Sequence, residues 1–238
     1  MTMTNSSLVD YKKLSPNHSG KRTHEIDRIS PHCVVGQLSV ETLGAMFSKK
    51  SKEASCNYCI GSDGRVGLIV EEKNRSWCTS SNSNDQRAVT IECASDLKSP
   101  YKFNDKVYNK LVDLCADICM RNGKTKLVWK GTKAKTDAYK QKSNEMVLTV
   151  HRWYAAKACP GAWMMNHVDN LVEDVNKKLA GESNVPFTVS LPAGTKVKAS
   201  ASSKSKTVDE IEKGVYTIVE IKGSYGKLKS GLGWVKLA

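Results

Sequence analysis

The pattern of the sequence changes near residue 181, and this change constrains the fold more than any other feature. Before it, strand-like and helix-like segments alternate, and the helical spacing of apolar residues over Asp105–Arg121 is the clearest of them. Such alternation predicts an α/β fold over residues 1–180, with a mixed central sheet covered by helices. After it come only short alternating segments such as Val215–Ile221, which predict a small all-β barrel over residues 186–238, joined by a linker at 181–185.

The composition indicates an anionic partner. The 238 residues carry a formal net charge of +13, which favours nucleic acid, a membrane surface or an acidic wall polymer. Because the lysines are spread along the chain and not gathered with aromatic residues on one helix, we expect no nucleic acid partner. We expect no membrane insertion, because no apolar run has the length of a membrane span. Residues 1–10 lack the features of a secretion signal, so we expect synthesis in the cytoplasm without a signal peptide.

The eight cysteines do not indicate a disulfide framework, because a chain of this size needs no covalent staples. Cys115 and Cys119 are four positions apart in a helical pattern, which predicts that both pack on one buried face. Cys56 and Cys59 are three positions apart in a strand-like pattern, which predicts thiols on opposite faces of the sheet. Cys33 directly follows a histidine in a strand and is expected to point away from it, into the core.

The segment from His151 to Gly161 carries the strongest chemical signal. It places His151 and Cys159 eight positions apart, with Lys157 two residues before the cysteine and a Pro-Gly turn after it. A second histidine, His32, lies far upstream in a strand-like segment. Two histidines and one thiolate can fill three corners of a zinc tetrahedron and leave the fourth open to water. The same residues also allow a cysteine nucleophile paired with His151.

A carboxylate interrupts the strand-like segment Ala88–Cys93. Alternation places Glu92 on one face with Ala88 and Thr90, and the apolar residues on the other. A carboxylate among strand-forming residues is costly to bury without a partner or a purpose. The segment therefore predicts either a catalytic carboxylate or a structural ion pair.

Four segments resemble, in the family's order, the zinc-dependent N-acetylmuramoyl-L-alanine amidases of the amidase-2 type. Many phage endolysins and the peptidoglycan recognition proteins share this fold. The segments are the strand at Pro31-His32, the hairpin at 57–66, the strand at 88–93 and residues 151–161. The last is the most specific, because both ligands and the lysine fall at the family's spacing.

The resemblance implies Zn²⁺ as the cofactor, with His32, His151 and Cys159 as its ligands. A glutamate at the position of Glu92 is the general base in related amidases and takes a proton from the zinc-bound water. Lys157 is then placed to neutralise the oxyanion that develops on the substrate carbonyl.

Two aromatic residues are candidate substrate contacts under the same resemblance. Trp77 matches a family aromatic beside the groove, although an ordinary packing role is equally compatible with the sequence. Cys56 stands where several relatives carry a tyrosine, and Tyr58 lies two positions further on, so either could take that role. The lysine-rich residues 130–142 predict a mobile loop or a groove wall that attracts the carboxylates of peptide stems.

The C-terminal sequence Tyr225-Gly226-Lys227-Leu228, followed by Gly233-Trp234-Val235-Lys236-Leu237, resembles bacterial SH3-like domains, which often bind cell walls. From Pro186 onward nine lysines stand against four acidic residues, a net charge of +5. The resemblance and the charge together predict a module that binds an anionic wall polymer.

These observations predict a peptidoglycan hydrolase that cleaves the amide between N-acetylmuramic acid and L-alanine. Its expected partners are the peptidoglycan and anionic wall polymers of a Gram-positive bacterium. The lack of a secretion signal favours a phage endolysin that reaches the wall through a holin over a bacterial autolysin with the same chemistry. A non-catalytic peptidoglycan-recognition module is the other alternative, and the oligomeric state stays open.

Overall fold

The structure, a computed structural model, describes residues 4–181, 185–222 and 224–237. Its internal contacts divide the chain into two compact units, Met1–Asn176 and Lys177–Ala238. The predicted linker at 181–185 falls mainly on residues 182–184, which lie outside the described residues. The predicted domain limits therefore stay a prediction.

A seven-stranded mixed sheet forms the centre of the first unit. Its strands are β1 (Val9–Lys12), β3 (Arg28–Val35), β4 (Tyr58–Ile60), β5 (Val66–Leu68), β7 (Ala88–Ser95), β8 (Lys126–Val128) and β9 (Glu145–Leu148). Their spatial order is β1-β5-β4-β7-β3-β9-β8, with β4 and β5 antiparallel and the other neighbours parallel. Two further strands, β2 (His18–Lys21) and β6 (Asn74–Ser76), form a separate antiparallel pair. The predicted α/β class with a mixed central sheet is confirmed.

Six helices accompany this sheet in the described part of the chain. They are α1 (Val40–Phe47), α2 (Asn82–Asp85), α3 (Asp105–Arg121), α4 (Lys133–Asp137), α5 (Gly161–Asn166) and α6 (Val168–Leu179), with 3₁₀ turns at Lys50–Lys52 and His151–Trp153. Helix α1 packs on β1, β4 and β5, and α3 packs on β4 and β7. None of the helices among the described residues is both long and apolar enough to pass through a membrane.

Local sequence explains the limits of the two main helices. The side chain of Ser39 accepts the backbone N–H of Thr42 at the start of α1, and Asn104 does the same for Val107 at the start of α3. Helix α3 ends at Asn122, and the next residue, Gly123, has the left-handed φ of +67° that favours glycine after a helix. Helix α3 thus has the predicted limits. Both of its cysteines, Cys115 and Cys119, are fully buried, as their spacing predicts.

Local structure differs from the sequence pattern in three places. The polar, turn-rich sequence of residues 1–30 predicts irregular structure, but these residues contain β1 and β2 and the start of β3. The spacing of apolar residues predicts one helix over 163–179, but the structure divides it at His167. This residue ends α5, and its Nδ1 lies 2.7 Å from the carbonyl oxygen of Trp163. The lysine-rich segment 130–142, expected to be a mobile loop or a groove wall, contains the short helix α4, whose N-terminus is capped by Thr132.

The cysteine pair in the hairpin also differs from expectation. Cys56 and Cys59 are both fully buried in one apolar cluster with Val40, Leu43 and Ile69. Strand β4 begins at Tyr58, so Cys56 lies before the strand and the alternation of faces does not apply to it. The two thiols therefore pack on the same side as small apolar groups.

The second unit is built from an antiparallel sheet of six strands. In chain order they are β10 (Phe187–Leu191), β11 (Thr195–Lys198), β12 (Thr207–Ile211), β13 (Gly214–Lys222), β14 (Tyr225–Leu228) and β15 (Trp234–Lys236). Its small core consists of apolar residues from these strands: Leu191, Val197, Ile211, Ile218, Leu228 and Val235. The all-β architecture agrees with the prediction.

Candidate metal centre

The register between strands β3 and β7 places His32 beside Glu92. In the parallel pair β3–β7, His32 is the direct partner of Glu92, and partners in a parallel pair present their side chains on the same face. The imidazole Nδ1 of His32 lies 3.9 Å from Oε1 of Glu92. The two residues, sixty positions apart in the sequence, therefore occupy one site because the two strands are neighbours.

Two segments that follow strand β9 supply the other predicted ligands. His151 opens the 3₁₀ turn His151–Trp153, which begins two residues after Thr149, and its ring centre lies 5.0 Å from that of His32. The thiol Sγ of Cys159 lies 3.2 Å from Nδ1 of His32. One donor atom from each of the three residues lies within 4.8 Å of the other two.

This geometry fits a zinc ion. Zn–N bonds of about 2.0–2.1 Å and a Zn–S bond of about 2.3 Å place tetrahedral donors roughly 3.4–3.6 Å apart, and the observed donors need only small shifts to reach this. His32 is fully buried, and its pKa is lowered to about 3 by burial and, less strongly, by the nearby His151. A buried imidazole that stays neutral keeps a lone pair available for a metal.

Glu92 lies at the wall of a cavity of about 490 Å³ that His151 and Cys159 also line. One of its carboxylate oxygens, Oε1, accepts a long hydrogen bond of 3.8 Å from the thiol of Cys78. The other, Oε2, is buried and has no hydrogen-bond partner among the described residues. Burial raises the pKa of Glu92 to about 7, because the charged carboxylate loses its hydration.

The same cavity contains two more of the predicted site residues. Lys157 is exposed at the cavity wall, and its charge adds to burial in lowering the pKa of His151. Trp77 also lines the cavity, and its indole Nε1 donates a hydrogen bond of 2.6 Å to Oγ of Ser19. Both side chains can therefore meet a ligand that enters the cavity.

Tyr58 does not lie where a substrate contact requires it. Its side chain is fully buried, and its hydroxyl donates to Oε1 of Glu72 at 2.6 Å while it accepts the N–H of Ser6 at 2.8 Å. Arg121 forms an ion pair with the same carboxylate. The expected substrate contact of Tyr58 is thus corrected to a structural role, because β4 runs through the interior of the sheet.

Three residues in or beside the cavity were not predicted as site residues from the sequence. Cys33, expected in the core, is half-buried and lines the cavity together with Cys159. Cys78 follows Trp77 directly, yet nothing in its spacing indicates the contact with Glu92. Oγ of Ser80 lies 3.4 Å from Nε2 of His151. The backbone of Ser80 has a left-handed φ of +60°, which no sequence pattern predicts.

Comparison with known proteins agrees with this geometry. Residues 21–162, more than half of the chain, match the family described as N-acetylmuramoyl-L-alanine amidase. No curated protein matches the chain. Among solved structures, PlyL matches with a TM-score of 0.50 at 15% identity, over 69% of this chain and 95% of that one. At this identity the likeness to PlyL establishes the fold.

Two other solved structures are similar with lower scores. The Staphylococcus aureus hydrolase AmiA, in complex with its ligand, has a TM-score of 0.49 and 14% identity, over 76% of this chain and 95% of AmiA. The endolysin and N-acetylmuramoyl-L-alanine amidase LysCS from Clostridium intestinale has a TM-score of 0.43 and 13% identity, over 66% and 90% of the two chains. With more than half of its length matched by the family, this chain belongs to the amidase-2 family of N-acetylmuramoyl-L-alanine amidases.

Proposed function

We propose that this peptidoglycan amidase cleaves the bond between N-acetylmuramic acid and L-alanine with a zinc ion held by His32, His151 and Cys159. The observation that carries the proposal is the convergence of two imidazoles and one thiol beside the carboxylate of Glu92, at the wall of the cavity that His151 and Cys159 also line. Three protein ligands leave the fourth zinc position open, as a catalytic site requires. Bound there, zinc is a Lewis acid that polarises the scissile carbonyl and makes a water molecule a stronger acid.

Glu92 is the proposed general base. Its buried oxygen Oε2 has no partner among the described residues, so it is free to accept the proton of the attacking water. Cys78 holds the other oxygen, which fixes the direction of the carboxylate. The same carboxyl group then returns the proton to the departing L-alanine nitrogen, since one positioned acid–base group can serve both steps.

Lys157 is the proposed electrostatic partner of the reacting carbonyl. This residue lines the cavity, and a cation near the carbonyl oxygen lowers the energy of the negative charge that develops there. Trp77, on the same wall, offers an apolar surface to the sugar or to the peptide stem.

We further propose that residues 186–238 form an SH3-like module that attaches the enzyme to anionic polymers of a Gram-positive wall. Its excess of five positive charges supports this role. We propose as its biological setting a phage endolysin that is released to the wall through a holin.

The test is a product assay on purified peptidoglycan. Samples with and without a chelator are assayed for new L-alanine amino termini and for new reducing ends. We expect new amino termini without reducing ends, their loss on chelation and their return with Zn²⁺. Reducing ends would mean cleavage of a glycosidic bond, and the absence of new amino termini in a zinc-loaded sample would leave a recognition protein. Turnover that survives chelation but not thiol alkylation would indicate a cysteine nucleophile instead.

A further inference from the structure

A connected group of aromatic and lysine side chains lies outside the cavity and has no part in the proposed chemistry. We name it the aromatic–lysine surface; its members are Trp129, Lys130, Lys133, Tyr139, Trp153 and Tyr154. The indoles of Trp129 and Trp153 stack with ring centres 4.9 Å apart and planes only 7° from parallel. Lys130 directly follows Trp129 in the chain and Tyr154 directly follows Trp153, so two further members of the group adjoin this stack in the sequence.

Each lysine of the group contacts an aromatic ring. Nζ of Lys130 lies 4.2 Å from the ring centre of Tyr139, and Nζ of Lys133 lies 5.9 Å from that of Tyr154. Lys133 also forms an ion pair with Asp137. These contacts order the ammonium groups beside the rings, since a cation is attracted to the face of an aromatic ring.

Burial and position argue against a purely structural role. Trp129, Trp153, Tyr139 and Tyr154 are all only partly buried, so water covers apolar area that a core would hide. Tryptophan and tyrosine in such settings are enriched at binding surfaces. Trp153 ends the 3₁₀ turn that begins with His151, so this surface starts two residues from a proposed zinc ligand.

The charge around the rings selects the kind of ligand. Residues 126–142 contain six lysines and one aspartate, a net charge of +5. A ligand that suits both features has flat apolar faces for the indoles and regularly spaced negative groups for the lysines. The C–H bonds of a sugar ring fit the electron-rich face of an aromatic ring, and carboxylates fit the ammonium groups.

The reaction itself makes such a ligand. Hydrolysis breaks the C–N bond of the amide; the carbonyl carbon takes the hydroxyl of water and the L-alanine nitrogen takes a proton. The lactyl group of each muramic acid is then a carboxylate at neutral pH, so the strand has sugar rings and a repeated negative charge. We infer that the aromatic–lysine surface binds this cleaved glycan strand, which keeps the enzyme on the polymer after each cut. This inference rests on the proposed function.

The first test measures binding of peptide-free glycan strands to the zinc-loaded full chain. We expect Trp129→Ala to weaken binding by about tenfold or more, as loss of a central aromatic contact does. Trp129→Phe, which keeps an aromatic face, should recover part of that loss. Trp163→Ala is the matched control, because Trp163 is another partly buried indole that stacks on His167, in α5 and away from this surface. Equal binding by wild type and Trp129→Ala, or equal loss in the Trp163 control, would overturn the inference.

The second test separates sugar stacking from charge. Uncharged N-acetylglucosamine oligomers should bind more weakly than the cleaved strands, and Lys130→Ala should weaken binding of the strands while leaving the oligomers unaffected. A wall teichoic acid that binds in place of the strands, with no effect of Trp129→Ala, would assign the surface to a phosphate polymer and overturn the inference.

Failure of the proposed function would be recognised separately. Thermal unfolding and zinc content of each variant verify that it is folded and loaded. A wild-type chain that binds the strands but releases no alanine amines refutes the amidase chemistry alone, whereas one that releases amines but does not bind the strands refutes only the glycan surface.

Discussion

His32 and Glu92 are neighbours because β3 and β7 pair in register. This position beside a proposed zinc ligand allows Glu92 to act as the proposed general base. We expect Glu92→Gln to retain zinc but to lose turnover by about 10²–10⁴-fold, since an amide cannot accept the proton of water. Zinc content by elemental analysis and release of alanine amines measure the two effects. The control is Glu71→Gln, in a glutamate that pairs with Lys73. Near-normal turnover in Glu92→Gln would remove Glu92 from the mechanism.

Three thiols line the cavity, and two of them, Cys159 and Cys33, are distinguished by their neighbours. Among the described residues, Cys159 is the only cysteine whose thiol forms a cluster of possible metal ligands with both His32 and His151. We expect Cys159→Ser to bind well below one zinc per chain, because a hydroxyl is a far weaker zinc ligand than a thiolate. Cys33→Ser, the matched control, should keep full zinc. Unchanged zinc in Cys159→Ser, or loss in the Cys33 control alone, would assign the metal to the other thiol.

A variant of Tyr58 distinguishes a structural role, which its burial indicates, from the substrate contact that the family resemblance implies. Tyr58→Phe leaves Glu72 and the N–H of Ser6 each short of one hydrogen bond in the interior, which costs about 1–3 kcal/mol of unfolding free energy. Turnover of the folded enzyme should not change, because the hydroxyl lies away from the cavity. Denaturant unfolding and turnover at a permissive temperature measure the two effects. Reduced turnover with unchanged stability would restore Tyr58 to the site.

The candidate site could be predicted from the sequence only in part. The spacing of His151, Lys157 and Cys159 follows from one local segment, so local pattern and resemblance suffice to propose them. The depth of Tyr58 and the contact of Cys78 with Glu92 depend on which strands become neighbours. That information lies in tertiary packing and not in any short stretch of sequence.

Among the elements, helix α3 is the one whose sequence and structure agree best, because one apolar stripe defines it from end to end. Leu111 in this stripe is fully buried, whereas Met120 near the end is 60% exposed. We expect Leu111→Ala to cost about 2–5 kcal/mol of unfolding free energy through the lost contacts and the cavity that remains. Met120→Ala should change it by less than about 0.5 kcal/mol. Similar costs for both, measured by denaturant unfolding, would contradict the packing of this helix.

The elements that sequence reasoning missed share a physical cause. Strands β1 and β2 have only four residues each and alternate between partly buried and exposed positions, so they lack a strong apolar pattern. Their pairing with β5 and β6 supplies the order that the local sequence does not. Helix α4 has five residues, too few for a periodic stripe, and depends on its Thr132 cap.

At the scale of the whole molecule, the two compact units have different architectures, and the proposed functions of cleavage and wall attachment fall on different units. The cavity and the proposed ligands belong to the first unit, and the six-stranded sheet of the second carries a surplus of lysine. Cationic side chains on a small sheet attract an anionic polymer over a distance that shrinks with salt. Attachment and cleavage are therefore expected to respond differently to truncation and to ionic strength.

Deletion of residues 185–238 tests this division directly. We expect the truncated chain to lose most of its attachment to purified walls but to cleave a small muramyl peptide at nearly the rate of the full chain, because the cavity residues all lie before residue 177. Pelleting with walls at low and high salt measures attachment, and release of alanine amines measures cleavage. Attachment of the full chain should fall with salt, since the Debye length shortens from about 10 Å at 0.1 M to about 3 Å at 1 M. Equal loss on walls and on the small peptide would mean that the second unit supports the catalytic fold and does not target the wall.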